Sequence, residues 1–397
     1  MEAIIIIGGF STIHRVLKKE GHNLVLITET SQVKEKNNKL YKQVFAFDNL
    51  EDYSYVISSL YSLKMRYSFE GIVCMFDELQ ELTKKIADYL GIKYLTEEQV
   101  KLINNKFEMR KKLAEKKVDN IDSKRVSGET EIRDFLKENS PSILKPINGS
   151  ASRSIFKVTT ETSKTELEEY LRNNKNERLI IEEFVEGKEF SVETISFENR
   201  HYIYGITEKF KEEKHFVETG HIAPANISPK TKRQITDFVI KVLNCLGVED
   251  TVSHTEVIVT KSGDVHIVET HARLGGDMIT ELYNLASNGK INPIRMASHI
   301  CIGDYSDEKS LKNLEYPTFS GIKFLEFSEG KIKAITTDER KQKGYTEISV
   351  RAKVGDKNLE PSSLNRIGHV IYTNQDYSQV LNFLESDISK IIRVEYE

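Results

Sequence analysis

His254-Thr255-Glu256 is followed, thirteen residues after its acid, by Glu269-Thr270-His271-Ala272-Arg273. Two apolar, β-branched stretches, Thr255–Thr260 and Asp264–Glu269, flank Lys261-Ser262-Gly263. That pattern predicts a hairpin, and pairing across it brings Glu256 near Glu269 on neighbouring strands. Two carboxylates facing one way repel unless a cation sits between them. Oxygen ligands select a hard ion, and Mg²⁺ bridging the phosphates of ATP is the natural candidate. The two-residue period of a strand puts His271 and Arg273 on the Glu269 face. An arginine there neutralises charge on a transferring phosphoryl group.

Three further stretches carry polar groups at useful spacing. In Lys145-Pro146-Ile147-Asn148-Gly149-Ser150-Ala151-Ser152-Arg153-Ser154 a lysine ends an apolar strand and a loop of small residues follows. Such a loop can turn backbone N–H groups toward phosphate oxygens while the lysine supplies a point charge, although the stretch alone also suits a β-turn-β connector. It is not a P-loop, because no GKS or GKT tail is present. Glu182-Glu183-Phe184-Val185-Glu186-Gly187-Lys188-Glu189 ends a strand in acids around two apolar residues. An adenine site needs an apolar slot, a backbone donor–acceptor pair and an acid for the ribose; a charged surface hairpin has the same composition. Glu218-Thr219-Gly220-His221-Ile222-Ala223-Pro224-Ala225 reads as a loop between strand and helix that could line a substrate pocket.

The elements that must hold these residues follow from the apolar pattern. Ala3–Gly8, Asn23–Thr28, Gln43–Phe47 and Gly71–Phe76 read as strands, alternating with helices near Leu17, over Tyr53–Arg66 and over Leu79–Leu90. Strand–helix alternation implies a parallel, doubly wound sheet. Gly8-Gly9-Phe10-Ser11 does not complete a dinucleotide fingerprint. From Thr96 the pattern becomes α+β, with long antiparallel-looking strands at Glu189–Ser196, His201–Thr207, Ser253–Thr260 and Asp264–Glu269. After Pro317 come short strands, glycine turns and one terminal helix.

At 397 residues the chain suits two or three domains. A formal net charge of -4 argues against a nucleic-acid-coating or membrane-surface role. The apolar run Ala3–Ile7 is far short of a membrane span and has no basic region before it, so neither a membrane helix nor a secretory leader is expected. Cys74, Cys245 and Cys301 are far apart and form no CxxC pair. Plain thiols in a reducing cytoplasm are the expectation.

Taken together, the ordered motifs resemble the ATP-grasp superfamily and, within it, the L-amino acid ligase branch. Ser362-Ser363-Leu364-Asn365-Arg366-Ile367-Gly368-His369-Val370 and the Gly330-Lys331-Ile332 turn add to the likeness. The resemblance implies a Rossmann-like α/β domain over 1–93, an ATP-grasp domain over 94–317 with two subdomains breaking near 184–188, and a small α+β domain over 318–397. It implies that Lys106 and Lys145 reach ATP phosphates, with Gly149, Ser150, Ser152 and Ser154 in a loop closing over them. Glu182, the backbone of Phe184 and Val185, and Glu189 resemble the adenine and ribose contacts. Glu256 and Glu269 match metal carboxylates, and His271 stands where the usual pattern has asparagine; two Mg²⁺ ions are expected. Arg273 would stabilise an acyl phosphate, beside Lys145 and His221 as catalytic groups. Glu218, His221 and Gly275-Gly276-Asp277 would face the substrate.

The implied reaction is ATP-dependent activation of a carboxylate as an acyl phosphate and its transfer to an amine, with no covalent nucleophile on the protein. A thiol acceptor on a carrier protein, a bicarbonate substrate and a non-catalytic nucleotide-binding protein are the competing readings. Small-molecule carboxylate and amine substrates are the expected partners, with no nucleic acid and no membrane, and the family likeness suggests a homodimer.

Overall fold

The computed structural model describes residues 1–149, 154–212, 216–306, 308–326, 330–337, 344–357 and 365–397. Strands β1 (Glu2–Ile7), β2 (Leu24–Glu29), β3 (Tyr41–Phe47) and β4 (Ser68–Cys74) form a parallel sheet in the order β3-β2-β1-β4. The unbroken Ile4–Ile7 run follows from burial on both faces. Ile4 and Ile6 pack with Ile13 and Leu17 of the Thr12–Lys19 helix and with Met296 and Ile300 of the Pro293–Cys301 helix. Ile5 and Ile7 pack on the other face with Val56, Leu60 and Ile86. The helix expected over Tyr53–Arg66 is two, Tyr53–Ser59 and Tyr61–Arg66, because buried Leu60 leaves helical geometry at φ -88, ψ 3.

One helix covering this first sheet therefore comes from much later in the chain. Gly71 permits the approach: a Cβ there would lie 2.4 Å from the Cys301 carbonyl oxygen. The segment just after β4, which carries Asp77, is thereby fixed against the rest of the molecule.

A second, antiparallel sheet, in the order β5-β8-β6-β7, is built from β5 (Ser123–Val126), β6 (Ser142–Pro146), β7 (Phe156–Val158) and β8 (Leu179–Glu183). Ile132, Leu136 and Leu167 from its two helices fill one face. The third sheet has eight antiparallel-paired strands: β9 (Gly187–Phe197), β10 (Arg200–Lys211), β11 (Glu218–Ala223), β12 (Thr251–Thr260), β13 (Val265–His271), β14 (Phe319–Glu326), β16 (Glu347–Val350) and β17 (Arg366–Asn374). Their order is β13-β12-β9-β10-β11-β14-β17-β16, while β15 (Ile332–Thr337) and β18 (Ile392–Tyr396) pair separately.

One expectation changes here. Glu218–Ala223, read as a loop from its polar residues, is a strand paired on both sides, by β10 and by β14. Polar side chains occur there because one face of the strand floors a cleft. After 317 the chain continues the same sheet, β14 pairing with β11 as in Ile222↔Gly321. Among the described residues no helix is long and apolar enough to cross a membrane.

Candidate active site

A cleft of about 690 Å³ opens between the three sheets. Its floor is the antiparallel sheet, and register decides what it presents. Glu256 pairs with Glu269 and His254 with His271 across β12 and β13, so all four share a face. Nearer the turn the pairs are Ile258↔His266 and Val257↔Ile267. Val268 is thus an extra residue on β13, and without that bulge Glu256 would face Val268. A second bulge works on β11, where Phe210↔Gly220 is followed by Lys211↔Glu218. Thr219 is skipped, which turns Glu218 and His221 onto one face.

Charges around the floor are closely matched. Lys106 opens the Lys106–Glu115 helix, whose first turn is capped by Asn105 accepting the Glu108 N–H at 3.1 Å. Its ammonium reaches Glu269 at 2.8 Å and donates to the Gly149 carbonyl at 2.7 Å. His271 faces Glu269 at 3.1 Å and Asp77 at 3.0 Å. Burial would raise the Glu269 carboxyl, but Lys106 and His271 hold it well below the usual range. Burial would likewise depress the His271 imidazole, and Glu269 and Asp77 raise it instead. Arg273 lies past the end of β13 and forks onto Asp77, with its closest contact at 2.7 Å.

On the adjoining strands Lys209 is bound by Glu256, by Glu189 at 3.0 Å and by Glu218 at 3.3 Å. His254 bridges Glu193 at 2.7 Å and Glu256 at 3.2 Å. Burial would lower that imidazole, but the two carboxylates lift it to about 9. Gly275 lies directly over the Glu193–His254 pair; a Cβ would meet Glu193 Oε2 at 2.8 Å and His254 Nδ1 at 2.9 Å. Asp277 accepts from Arg366 at 2.7 Å and faces His221 Nε2 at 3.4 Å.

Lys145 also lines the cleft, fixed from behind. Glu182, 3% exposed, accepts from Lys145 at 2.7 Å and from Arg110 at 3.0 and 3.3 Å. Arg110 donates onward to the Ile267 carbonyl at 2.6 Å, which ties the second sheet to β13. Burial lowers the Lys145 ammonium and Glu182 opposes it. Glu182 therefore serves first to hold a buried lysine, and it does not line the cleft.

Of the sequence-derived residues, Lys106, Lys145 and Gly149 line one wall of the cleft, and Glu256, Glu269, His271 and Arg273 the floor. Glu218, His221, Gly275, Gly276 and Asp277 line the remaining edge. Phe184 and Val185 link β8 to β9 outside this lining, the Phe184 N–H donating to the Pro141 carbonyl at 3.1 Å. Glu189 is taken up by Lys209 and Lys211. The Ser154 carbonyl accepts from Tyr170 at 2.7 Å, whereas Ser150 and Ser152, and likewise Ser362 to Leu364, lie outside the described residues.

Glu256, Glu269 and His271 do not converge as a three-point cage; among the described residues no group of three His, Cys, Asp or Glu side chains is set to hold a metal ion. Each acid is met by its own ammonium, Glu269 by Lys106 at 2.8 Å and Glu256 by Lys209. The opposed carboxylate pair still fits a hard cation by donor type, and Glu256 is felt at Glu269 as a like charge. Sequence reasoning missed Asp77, Arg110 and Lys209. Only Lys209 left a local signal, its two-residue spacing from Lys211.

Residues 138–281 match the ATP-grasp domain model. Among curated proteins, alanine–anticapsin ligase of Bacillus subtilis (strain 168) is 26% identical over 216 residues, covering 48% of this chain and 46% of that protein. Dapdiamide A synthase of Enterobacter agglomerans is 22% identical over 232 residues, covering 55% and 54%. The chain thus spans about half the length of the curated relatives it matches. The crystal structure of an L-amino acid ligase from Bacillus licheniformis superposes with a TM-score of 0.86 at 19% identity, covering 100% of this chain and 99% of that one. The chain carries the ATP-grasp fold, and the superposition on that one L-amino acid ligase structure extends over its whole length.

Proposed function

We propose that this ATP-grasp chain is an ATP-dependent carboxylate–amine ligase acting on an amino acid. It activates a carboxylate as an acyl phosphate with release of ADP, then passes the acyl group to an amine with release of phosphate. The observation that carries the reading is the opposed Glu256–Glu269 pair, ringed by Lys106, Lys209 and Arg273 in one cleft.

Each residue has a role in that scheme. Lys106 and Lys145 draw charge from the phosphates during in-line attack. The link from Glu182 to Glu189 takes the adenosine: Phe184 and Val185 the ring, Glu189 the ribose hydroxyls, with Glu182 holding Lys145 in place. Gly149 and Ser154, at the two ends of the small-residue loop after Lys145, contact the triphosphate, where water must be kept from the acyl phosphate. Glu256, Glu269 and His271 would hold two Mg²⁺ ions, which supply charge neutralisation on the phosphates. Arg273 stabilises the negative charge that develops on the transferring group. His221 Nδ1 is buried with no hydrogen-bond partner among the described residues, which suits it to take a proton from the incoming amine. Glu218 and Gly275 to Asp277 position the substrates. No thiol is needed, and burial pushes Cys74 and Cys301 up to about 12, where neither is a thiolate. A homodimer in a reducing cytoplasm is part of the same proposal.

Phosphate release from ATP and Mg²⁺ with pooled amino acids, with and without bicarbonate, tests the reading. Release that requires amino acids, with a condensed product by mass spectrometry, supports it. Dependence on bicarbonate, or ATP binding without stimulated release, overturns it.

A further inference from the structure

The lysines and arginines lining the cleft are ion-paired with one exception among the described residues. Lys106 is held by Glu269, Lys145 by Glu182, Lys209 and Lys211 by Glu189, and Arg273 by Asp77. Arg351 lines the same cleft with an exposed side chain, and its guanidinium makes no ion pair or hydrogen bond among the described residues. Its backbone is nevertheless fixed. The N–H groups of Arg351 and Ala352 both donate to the Ile367 carbonyl, at 2.7 and 3.0 Å. A guanidinium on a fixed backbone, with no carboxylate of its own among the described residues, can receive an anion by a two-pronged contact.

Its position says which anion. The strands that carry Glu269 and Glu256 end one side of the eight-stranded sheet, and β16, which leads into Arg351, ends the other. Between them lie β11 with Glu218 and His221, and β17 with Arg366. Arg351 thus belongs to the substrate edge rather than to the phosphate wall of Lys106 and Lys145. The neighbouring His369 imidazole, lowered chiefly by burial, is raised by Glu347 and feels both Arg351 and Arg366 as like charges.

An amino acid that enters as the amine keeps its own α-carboxylate, which takes no part in bond formation and must be accommodated. We infer that Arg351 binds this carboxylate, so that the acceptor is a free α-amino acid rather than a neutral amine or a carrier-borne thiol. The inference rests on the ligase reading above. A guanidinium–carboxylate fork in a partly desolvated cleft is worth roughly 10- to 100-fold in acceptor affinity.

The test uses the full chain with ATP, Mg²⁺ and L-amino acids, and compares three acceptors: amino acids, their α-carboxamides, and hydroxylamine, which traps the acyl phosphate as a hydroxamate. Arg351→Gln should raise KM for amino acid acceptors roughly 10- to 100-fold. Its losses with carboxamides and hydroxylamine, which have no carboxylate to bind, should be far smaller, and Arg351→Lys should recover part of the amino acid KM. An equal loss with all three acceptors would assign Arg351 to the donor or the phosphates and overturn the inference. An unchanged KM would overturn it as well. A wild-type protein that forms no hydroxamate from any amino acid would remove the ligase reading and the inference with it, a result that the variant comparison cannot imitate.

Discussion

Asp77 and Arg273 lie 196 positions apart and meet as a fork, Arg273 Nε donating to both carboxylate oxygens at 3.0 and 2.9 Å and Nη2 to Oδ2 at 2.7 Å. The same carboxylate faces His271 at 3.0 Å. Burial would raise the Asp77 carboxyl, but His271 and Arg273 hold it well below the carboxylate range. The parallel-sheet segment, whose sequence completes no dinucleotide fingerprint, thereby sets the aim of two residues on the cleft floor.

Asp77→Asn should therefore impair turnover without removing any group that touches ATP. It leaves Arg273 and His271 with one neutral acceptor in place of a carboxylate. The expected loss in kcat/KM is about 10- to 100-fold, as for outer groups that orient a charged site. Stability should fall by about 1–3 kcal/mol. Steady-state phosphate release beside a thermal melt separates the two effects. Full activity in this variant would mean that Arg273 is positioned by other contacts.

Glu269→Gln tests the cation site. The wild-type melting temperature should rise with Mg²⁺ and ATP together, by a free energy of about 2.7 kcal/mol when the complex is at 100-fold its dissociation constant. The variant should lose most of that increment along with turnover, while Lys106 and His271 keep an amide oxygen to contact. Titration calorimetry with MgATP gives the same answer without catalysis. Ligand stabilisation equal to wild type would remove Glu269 from the metal set.

Much of this was legible beforehand, for physical reasons that differ by element. The β12–β13 hairpin declared itself through alternating β-branched residues around Lys261-Ser262-Gly263, and the parallel sheet through short apolar runs spaced by helices. Those signals are local. The Val268 and Thr219 bulges are not, because an extra residue leaves no compositional trace, yet they decide that Glu256 meets Glu269 and that Glu218 joins His221. Arg110, Asp77 and Lys209 were missed because their partners are brought together only by packing of separate sheets or strands. The family likeness places Glu182 among the adenosine contacts, and no local signal announces that its carboxylate also holds Lys145 and Arg110.

Gly275→Ala should act through sterics. The new methyl would sit 2.8 Å from Glu193 Oε2 and 2.9 Å from His254 Nδ1, and both side chains are buried. Something must shift, at a cost of about 1–3 kcal/mol. Because His254 also contacts Glu256 at 3.2 Å, the shift should reach the carboxylate pair. The Mg²⁺ requirement for phosphate release should rise more than KM for ATP. A melt and an Mg²⁺ titration that both match wild type would show that the loop lifts away freely.

The Lys145–Glu182–Arg110 group should also set part of the acid stability. Burial alone would raise Glu182, yet Arg110 and Lys145 bring it from 4.5 to about 2 in the folded chain. A depressed carboxyl favours folding above its unfolded value and loses that contribution as pH falls toward the folded one. The window thus runs from about pH 5 down to about 2, and the contribution at neutral pH is on the order of 3 kcal/mol. Glu182→Gln should be clearly less stable than wild type at pH 7, because buried Lys145 loses its counter-charge and Arg110 keeps only Asp119, at 3.7 Å. The gap should narrow steadily as pH drops through the window, since acid neutralises the wild-type carboxyl as well. Urea unfolding of both proteins at pH 7, 4 and 3 checks this. A gap that stays constant across that range would mean that Glu182 is not the group titrating, and that its hold on Lys145 is steric rather than electrostatic.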